Sequence, residues 1–342
     1  MRALAALLCA LICVAPCAAQ AQGKDESSRR ERQNTVADIA IGVGHGIGFL
    51  PLYVAQDQGL FDKHARAAGL RGKVVLRRFS NAAPMRQALA RGEIAAAAYG
   101  LTPFLLARDA NRRTPKELVA VAGLTTLPLV LLTARPNVKA LSDLGPADKI
   151  AVPMLTAPQV AYLRMRTNPS FGGRERLRAQ LVVLPHQDAL EKLVTGSGIA
   201  AYFSSPPFTQ IALQDPKVHA VDSSDAIMGG KTSFLVLASP ASVVAAHPRL
   251  PAVLAKAIDE ASGLIRKDPR RAATIWLKRE PSDTLDARMV EGVLRDLKDD
   301  FGSGVFGIEA TAGHLSRDNR LKEGVTNWKD VVAPAIAAGQ GS

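Results

Sequence analysis

Ile41–Leu60 reads "IGVGHGIGFLPLYVAQDQGL": the end of an apolar run, a loop with glycine at 42, 44, 46 and 48 around His45, and after Pro51 a helical spacing of apolar residues. A strand, a small-residue turn and a helix with proline in its first turn make one strand-to-helix unit of an α/β sheet. The same grammar recurs four times. "KVVLRRFSNAA" runs into "PMRQALARG", with Ser80 or Asn81 as the expected cap. "EIAAAAYGLT" runs into "PFLLARDANR", with Thr102 expected to cap and Pro103 to open the helix. "KIAVPMLTA" runs into "PQVAYLRMR", where Thr156 and Gln159 have capping-box spacing, and "GIAAYFSS" runs into "PPFTQIAL", with Ser205 as the expected cap.

Short apolar strands alternating with helices predict parallel sheets with helices on their faces, and such sheets bind ligands beyond the carboxyl ends of their strands. All five turns fall on that edge. Helix N-termini there present unpaired N–H groups and a partial positive charge, so several of them converging would form a neutral or anion-accepting pocket. Two long apolar stretches, "LVAVAGLTTLPLVLLTARP" and "KTSFLVLASPAS", bracket Pro136 to Gly230 and read as strands by which the chain crosses to a second lobe and returns. The division expected from this is 36–127 with 234–342 as the first lobe and 128–233 as the second. From about Ala241 the spacing is helical, and Trp276 and Trp328 in that tail read as core residues.

The chain opens "MRALAALLCALICVAPCAAQAQ", a positive start, an apolar run and small residues, which predicts a secretory signal peptide over 1–21 followed by a polar tether over 22–35. Cys9, Cys13 and Cys17 all lie in that leader, so the exported product is expected to lack thiol chemistry, disulfides and cysteine metal sites. "VAPC" has Pro16 where a lipidation signal wants a small residue. No later apolar run has the length of a membrane span, which predicts a soluble periplasmic product. The formal charge of +12 would draw anions toward a cleft, but it is scattered and not interleaved with aromatics, so no nucleic-acid partner is expected.

The opening loop fails as a nucleotide cradle: G-x-G-x-x-G read from Gly42 ends on Ile47, and read from Gly44 ends on Phe49. "GHGIG" is like an esterase oxyanion loop, but no G-x-S-x-G supplies a nucleophile. His45, His64, His186, His219, His247 and His314 show no metal-ligand spacing, so no metal and no cofactor is expected. His186 and His247 adjoin prolines and read as loop residues, which leaves His45 as the imidazole on the binding edge.

"PLYVAQDQGLFDKHA", "ALARGEIAAAAYGLTPFLLA", "LSDLGPADKIAVP", "GIAAYFSSPPF" and "NWKDVVAP" resemble, in order and spacing, the solute-binding proteins of the nitrate, sulfonate and taurine class of ABC importers and the related pyrimidine-precursor binders. The resemblance implies a type II periplasmic-binding-protein fold, two α/β lobes joined by two crossing hinge strands. It implies a monomeric receptor, not an enzyme, that closes on a small anionic or zwitterionic solute and hands it to a permease in the inner membrane. It also implies ligand contacts from the loop at His45, Gly46 and Phe49, from Ser80 and Asn81, from Gly100, Leu101 and Thr102, from Leu155 and Thr156, and from Ser204, Ser205 and Pro206. One departure is Ala95 after "GEI", where many relatives carry Asp. An enzyme on the same fold, or a sensor reporting to a signalling partner, stays open at this point.

Overall fold

The computed structural model of the chain describes residues 38–155, 157–167 and 173–342. The leader and tether expected over 1–35, with Cys9, Cys13 and Cys17, lie outside the described residues, as does Thr156.

The strands are β1 (Ile39–Val43), β2 (Val74–Arg78), β3 (Ala96–Gly100), β4 (Leu118–Thr125), β5 (Val130–Thr133), β6 (Ile150–Val152), β7 (Leu181–Val183), β8 (Ala201–Ser204), β9 (His219–Ser223) and β10 (Leu235–Pro240). They form two sheets of five, ordered β2-β1-β3-β10-β4 and β7-β6-β8-β5-β9. In the first sheet β1 is parallel to β2 and β3, while β10 runs antiparallel to β3 and β4. The second repeats the plan, with β6 parallel to β7 and β8 and with β5 antiparallel to β8 and β9. In each sheet one reversed strand enters beside the third parallel one. This is the two-sheet α/β architecture of type II periplasmic binding proteins.

The helices are α1 (Leu50–Asp57), α2 (Leu60–Ala67), α3 (Ala82–Ala90), α4 (Leu101–Ala110), α5 (Pro158–Arg166), α6 (Gly173–Gln180), α7 (His186–Thr195), α8 (Phe208–Ala212), α9 (Ser224–Met228), α10 (Ala241–Ala246), α11 (Leu250–Lys267), α12 (Pro269–Arg279), α13 (Ala287–Asp296) and α14 (Ile308–Arg317). In α11, Leu250, Val253, Leu254, Ala257, Ile258, Ala261 and Ile265 recur at three- and four-residue spacing and are all buried. That face lies on α1, α2 and β4. Trp276 and Trp328 both belong to the core of the first sheet, as their positions in a periodic helical tail predict. The cores of the second sheet are built from residues between Leu129 and Val218.

The outer edge of β4 is covered by returning chain. Gly123 N–H donates to Ser303 O at 2.7 Å, Gly302 N–H to Leu124 O at 3.2 Å, and Ala333 N–H to Ala120 O at 2.8 Å. These bonds satisfy a strand edge that would otherwise template pairing with another chain. Close approach of this backbone requires Gly123: a Cβ there would sit 1.9 Å from Gly304 O.

The long apolar stretch read as one strand is two, β4 and β5, broken by Thr126–Leu129, because Pro128 has no N–H to continue a ladder. The crossings between the sheets run side by side, with Phe234 N–H donating to Thr125 O at 2.8 Å. Phe234 packs against cores of both sheets. Strands β7 and β9 were not expected from the sequence; β7 is three residues long, and β9 pairs only with the reversed strand β5. Among the described residues, no helix is long and apolar enough to cross a membrane.

Candidate functional site

The parallel strands place six turns on the carboxyl edges of the two sheets, after β1, β2 and β3 in one and after β6, β7 and β8 in the other. The turns after β3 and β6 start α4 and α5, and here the sheets approach one another closely: a Cβ added at Gly100 would lie 3.4 Å from Pro158 Cγ. Among the described residues neither N-cap, Gly100 or Ala157, supplies a side-chain cap. Pro103 and Pro158 have no N–H and Val160 N–H donates to Ala157 O at 3.1 Å, so what the two helix starts offer jointly is the positive end of their dipoles, which favours a negatively charged or strongly polar group. Gly100 rather than Thr102 is the N-cap of α4; Leu101 and Thr102 already lie in its first turn and both are buried. The N-cap of α5 is Ala157, and Gln159 is buried; the Thr156 half of the expected Thr156–Gln159 box lies outside the described residues.

After β1 the chain turns through Gly46 at φ 114°, a conformation open to glycine. His45 beside it is exposed. The Gly46 N–H donates to both oxygens of Glu280, at 2.9 and 2.8 Å, and the Tyr53 hydroxyl lies 2.9 Å from Glu280 Oε1 and 3.1 Å from Gly44 O. One amide that this turn could offer to an anion is thus already held by a carboxylate of the chain itself. Burial first, and then the charge of Glu280, raise the Tyr53 pKa far above its ordinary value, so the phenol keeps the proton it donates. Glu280 follows α12, more than two hundred residues from the loop it holds, and nothing local in the sequence marks it. Phe49 is buried beneath the turn, its ring 3.1 Å from where a Gly44 Cβ would be.

At the end of β2, Asn81 Oδ1 accepts from Ala83 N–H at 3.0 Å and caps α3, while Ser80 is exposed. Arg77 and Arg78 point to opposite faces, as strand alternation requires. Arg77 pairs with Glu93 at 3.2 Å, and Arg78 lies over the Tyr53 ring at 5.6 Å.

On the second sheet, Met154 and Leu155 are 51% and 57% exposed, an apolar pair on the edge after β6. Ser204 is fully buried; its hydroxyl accepts from Thr209 at 3.0 Å, so it faces the interior. Ser205 does not cap α8, which starts at Phe208 after Pro206 and Pro207. Instead, Ser205 Oγ lies 3.1 Å from His186 Nε2, and His186 Nδ1 bonds the Tyr202 hydroxyl. The imidazole stacks on Phe208 with centroids 5.2 Å apart. His186 is the first residue of α7 and not a loop residue, and it is tied through Ser205 to the turn after β8. Sequence reasoning missed it because the short strand β7 before it was not recognised.

Burial pushes the His186 pKa from 6.5 down to about 4, so the ring is neutral at pH 7. As pH falls from 6.5 toward 4, the unfolded chain takes up a proton that the folded chain refuses, so stability is full above that window and declines within it. The expected slope is up to about 1.4 kcal/mol per pH unit. Urea denaturation at about pH 7.5 and about pH 5 measures it, and His186→Gln should flatten the difference.

The remaining aromatics at strand ends are structural. Tyr99 and Phe203 are buried, and burial lifts the Tyr99 phenol to about 12. Among the described residues no three His, Asp or Glu side chains gather as metal ligands.

Among solved structures, the chain is similar to the periplasmic aliphatic sulphonate binding protein SsuA of Escherichia coli, at 20% identity and a TM-score of 0.64 over 84% of this chain and 89% of that one. It is also similar to the alkanesulfonate-binding protein SsuA of Xanthomonas axonopodis pv. citri bound to MOPS, at 18% identity and a TM-score of 0.63 over 90% and 99%. A DszB mutant in complex with biphenyl-2-sulfinic acid matches at 16% identity and a TM-score of 0.56 over 88% and 98%. At these identities the likeness is one of fold. A search by sequence among curated proteins finds no match. The model of the NMT1-like family matches residues 32–277, from before β1 to within α12, and with it both sheets and the six turns at the carboxyl ends of their parallel strands: the chain belongs to the NMT1-like family.

Proposed function

We propose that the protein is an extracytoplasmic receptor of an ABC import system that captures a small anionic or zwitterionic organic solute, of the sulfonate or taurine kind, between two lobes. The observation that carries this reading is the meeting of α4 and α5, two helix N-termini brought to van der Waals distance at Gly100 and Pro158. Paired N-termini suit an oxyanion or a polarised oxygen, and the exposed Met154 and Leu155 suit the apolar body of an organic ligand. The lobes in this reading are 36–127 with 234–342, and 128–233; they close about the paired crossings at Thr125 and Phe234. The closed form is what an inner-membrane permease would recognise. The two SsuA proteins, described as binding sulfonates, support the ligand class.

Titration calorimetry of the exported chain against alkanesulfonates, taurine, nitrate and pyrimidines is expected to find at least one ligand with Kd on the order of 1 μM or tighter. No binding across that panel and a broad metabolite screen overturns the reading. Recovery of the ligand chemically unchanged separates a receptor from an enzyme on this fold. His45→Ala is expected to weaken that ligand about tenfold, while its exposed position keeps the stability change within about 0.5 kcal/mol. Unchanged affinity would make His45 a turn residue only.

A further inference from the structure

A cavity of about 250 Å³ opens on the first sheet beyond the carboxyl ends of β1 and β2, under α1 and the end of α12. Its floor is Val43 and Leu76, and its walls are Tyr53, Gln56, Arg78, Lys278 and Arg279. None of these residues comes from the second sheet, so the cavity is separate from the meeting of α4 and α5. We propose that it is a second binding site, for a small oxyanion of the phosphate, sulfate or carboxylate kind.

Three cations from two distant parts of the chain converge on it. Among the described residues, none of Arg78, Lys278 and Arg279 makes an ion pair. Cations in the last turn of α12 complement the helix dipole, which accounts for the sign of Lys278 and Arg279. It does not account for Arg78, brought there by β2, nor for Gln56 Oε1 on the same wall, buried and without a hydrogen-bond partner among the described residues. A buried amide group without a partner is costly unless something arriving from outside satisfies it. Turned about its last torsion, the same amide presents N–H₂ donors to an oxyanion.

Glu280, next to Arg279, is engaged elsewhere: its oxygens take the Gly46 N–H and the Tyr53 hydroxyl. Among the described residues that line the cavity are three cations and no carboxylate, in a recess where field lines concentrate. The guanidinium groups of Arg78 and Arg279 can each meet an oxyanion bidentately, and Lys278 adds a point charge. The apolar floor leaves room for only a short organic tail, since the cavity is smaller than the ~300 Å³ at which drug-sized pockets begin. Arg78 Nη2 also donates to the Tyr53 hydroxyl at 3.3 Å. An anion held by Arg78 would therefore brace the chain of bonds from Tyr53 through Glu280 to the His45 turn.

Titration calorimetry with the exported chain, at constant ionic strength set by sodium chloride, tests the site with inorganic phosphate, sulfate and butyrate. At least one is expected to bind with Kd on the order of 1 mM or tighter, and the ranking of sulfate and phosphate against butyrate separates an inorganic occupant from a carboxylate. Lys278→Gln with Arg279→Gln should weaken that binding at least about tenfold, and Gln56→Glu should abolish it. The paired changes Arg270→Gln and Arg271→Gln, on the same helix but outside the cavity, should leave it unchanged. Circular dichroism checks that each variant is folded. The proposal is overturned if no anion binds beyond the chloride background, or if the Lys278/Arg279 variant binds as the wild type does.

Discussion

Gly123→Ala is expected to destabilise the protein by about 3 kcal/mol or more, the upper end of what overpacking costs, because the added methyl group meets backbone and not a movable side chain. Its Cβ would stand 1.9 Å from Gly304 O and 2.8 Å from Gly304 C. Neither can yield without parting the returning chain from β4 and losing the Gly123–Ser303 hydrogen bond. A thermal melt shows the effect as a large fall in Tm. Gly263→Ala is the matched comparison. This helical glycine in α11 has open space around it, its nearest neighbour being Arg266 Nη2 at 4.0 Å, so alanine there should raise stability by about 0.5–1 kcal/mol. Opposite signs for the same substitution would show that close backbone approach, not glycine's conformational freedom, is what position 123 needs.

Gly100→Trp is expected to weaken the cleft ligand by at least about a hundredfold, some 2.7 kcal/mol, with circular dichroism checking that the variant is folded. Gly100 has φ −64° and ψ 152°, a backbone conformation that any residue adopts, so the cost does not come from strain. Its Cβ direction leads to Pro158 Cγ within 3.4 Å, and an indole there must fill the space where α4 and α5 meet or hold the two sheets apart. Titration calorimetry with whichever panel compound binds the wild type measures it. Retained affinity would mean that the ligand does not sit at the paired helix starts.

The two sheets were legible in the sequence wherever a strand and its following helix were both long or well punctuated. Proline and small residues after β1, β2, β3, β6 and β8 mark five turns, and all five occur. Caps were less legible, because a hydroxyl near a helix start does not say which backbone turn comes first. Thr102 and Ser205 each yielded to a neighbour, and the freed Ser205 side chain went to His186. What could not be read was tertiary by nature. Glu280 reaches the Gly46 turn from the far end of α12, and Tyr202 and His186 meet across a sheet edge whose strand β7 is only three residues long. Of the two arginines ending β2, alternation alone said that they diverge; only the fold says that Arg78 is the one turned toward Tyr53 and the cationic cavity.

Both tryptophans, Trp276 and Trp328, lie in the core of the first sheet, and the second sheet has none. Intrinsic fluorescence of this protein is accordingly a one-sided optical probe. A denaturation curve followed at tryptophan wavelengths reports the first sheet and its helices, and would show a single transition even if the second sheet melted separately. Circular dichroism, which sums helices from both halves, sees what fluorescence does not. Divergence between the two signals on the same sample would be a direct optical measure of how tightly the paired crossings couple the folding of the two halves.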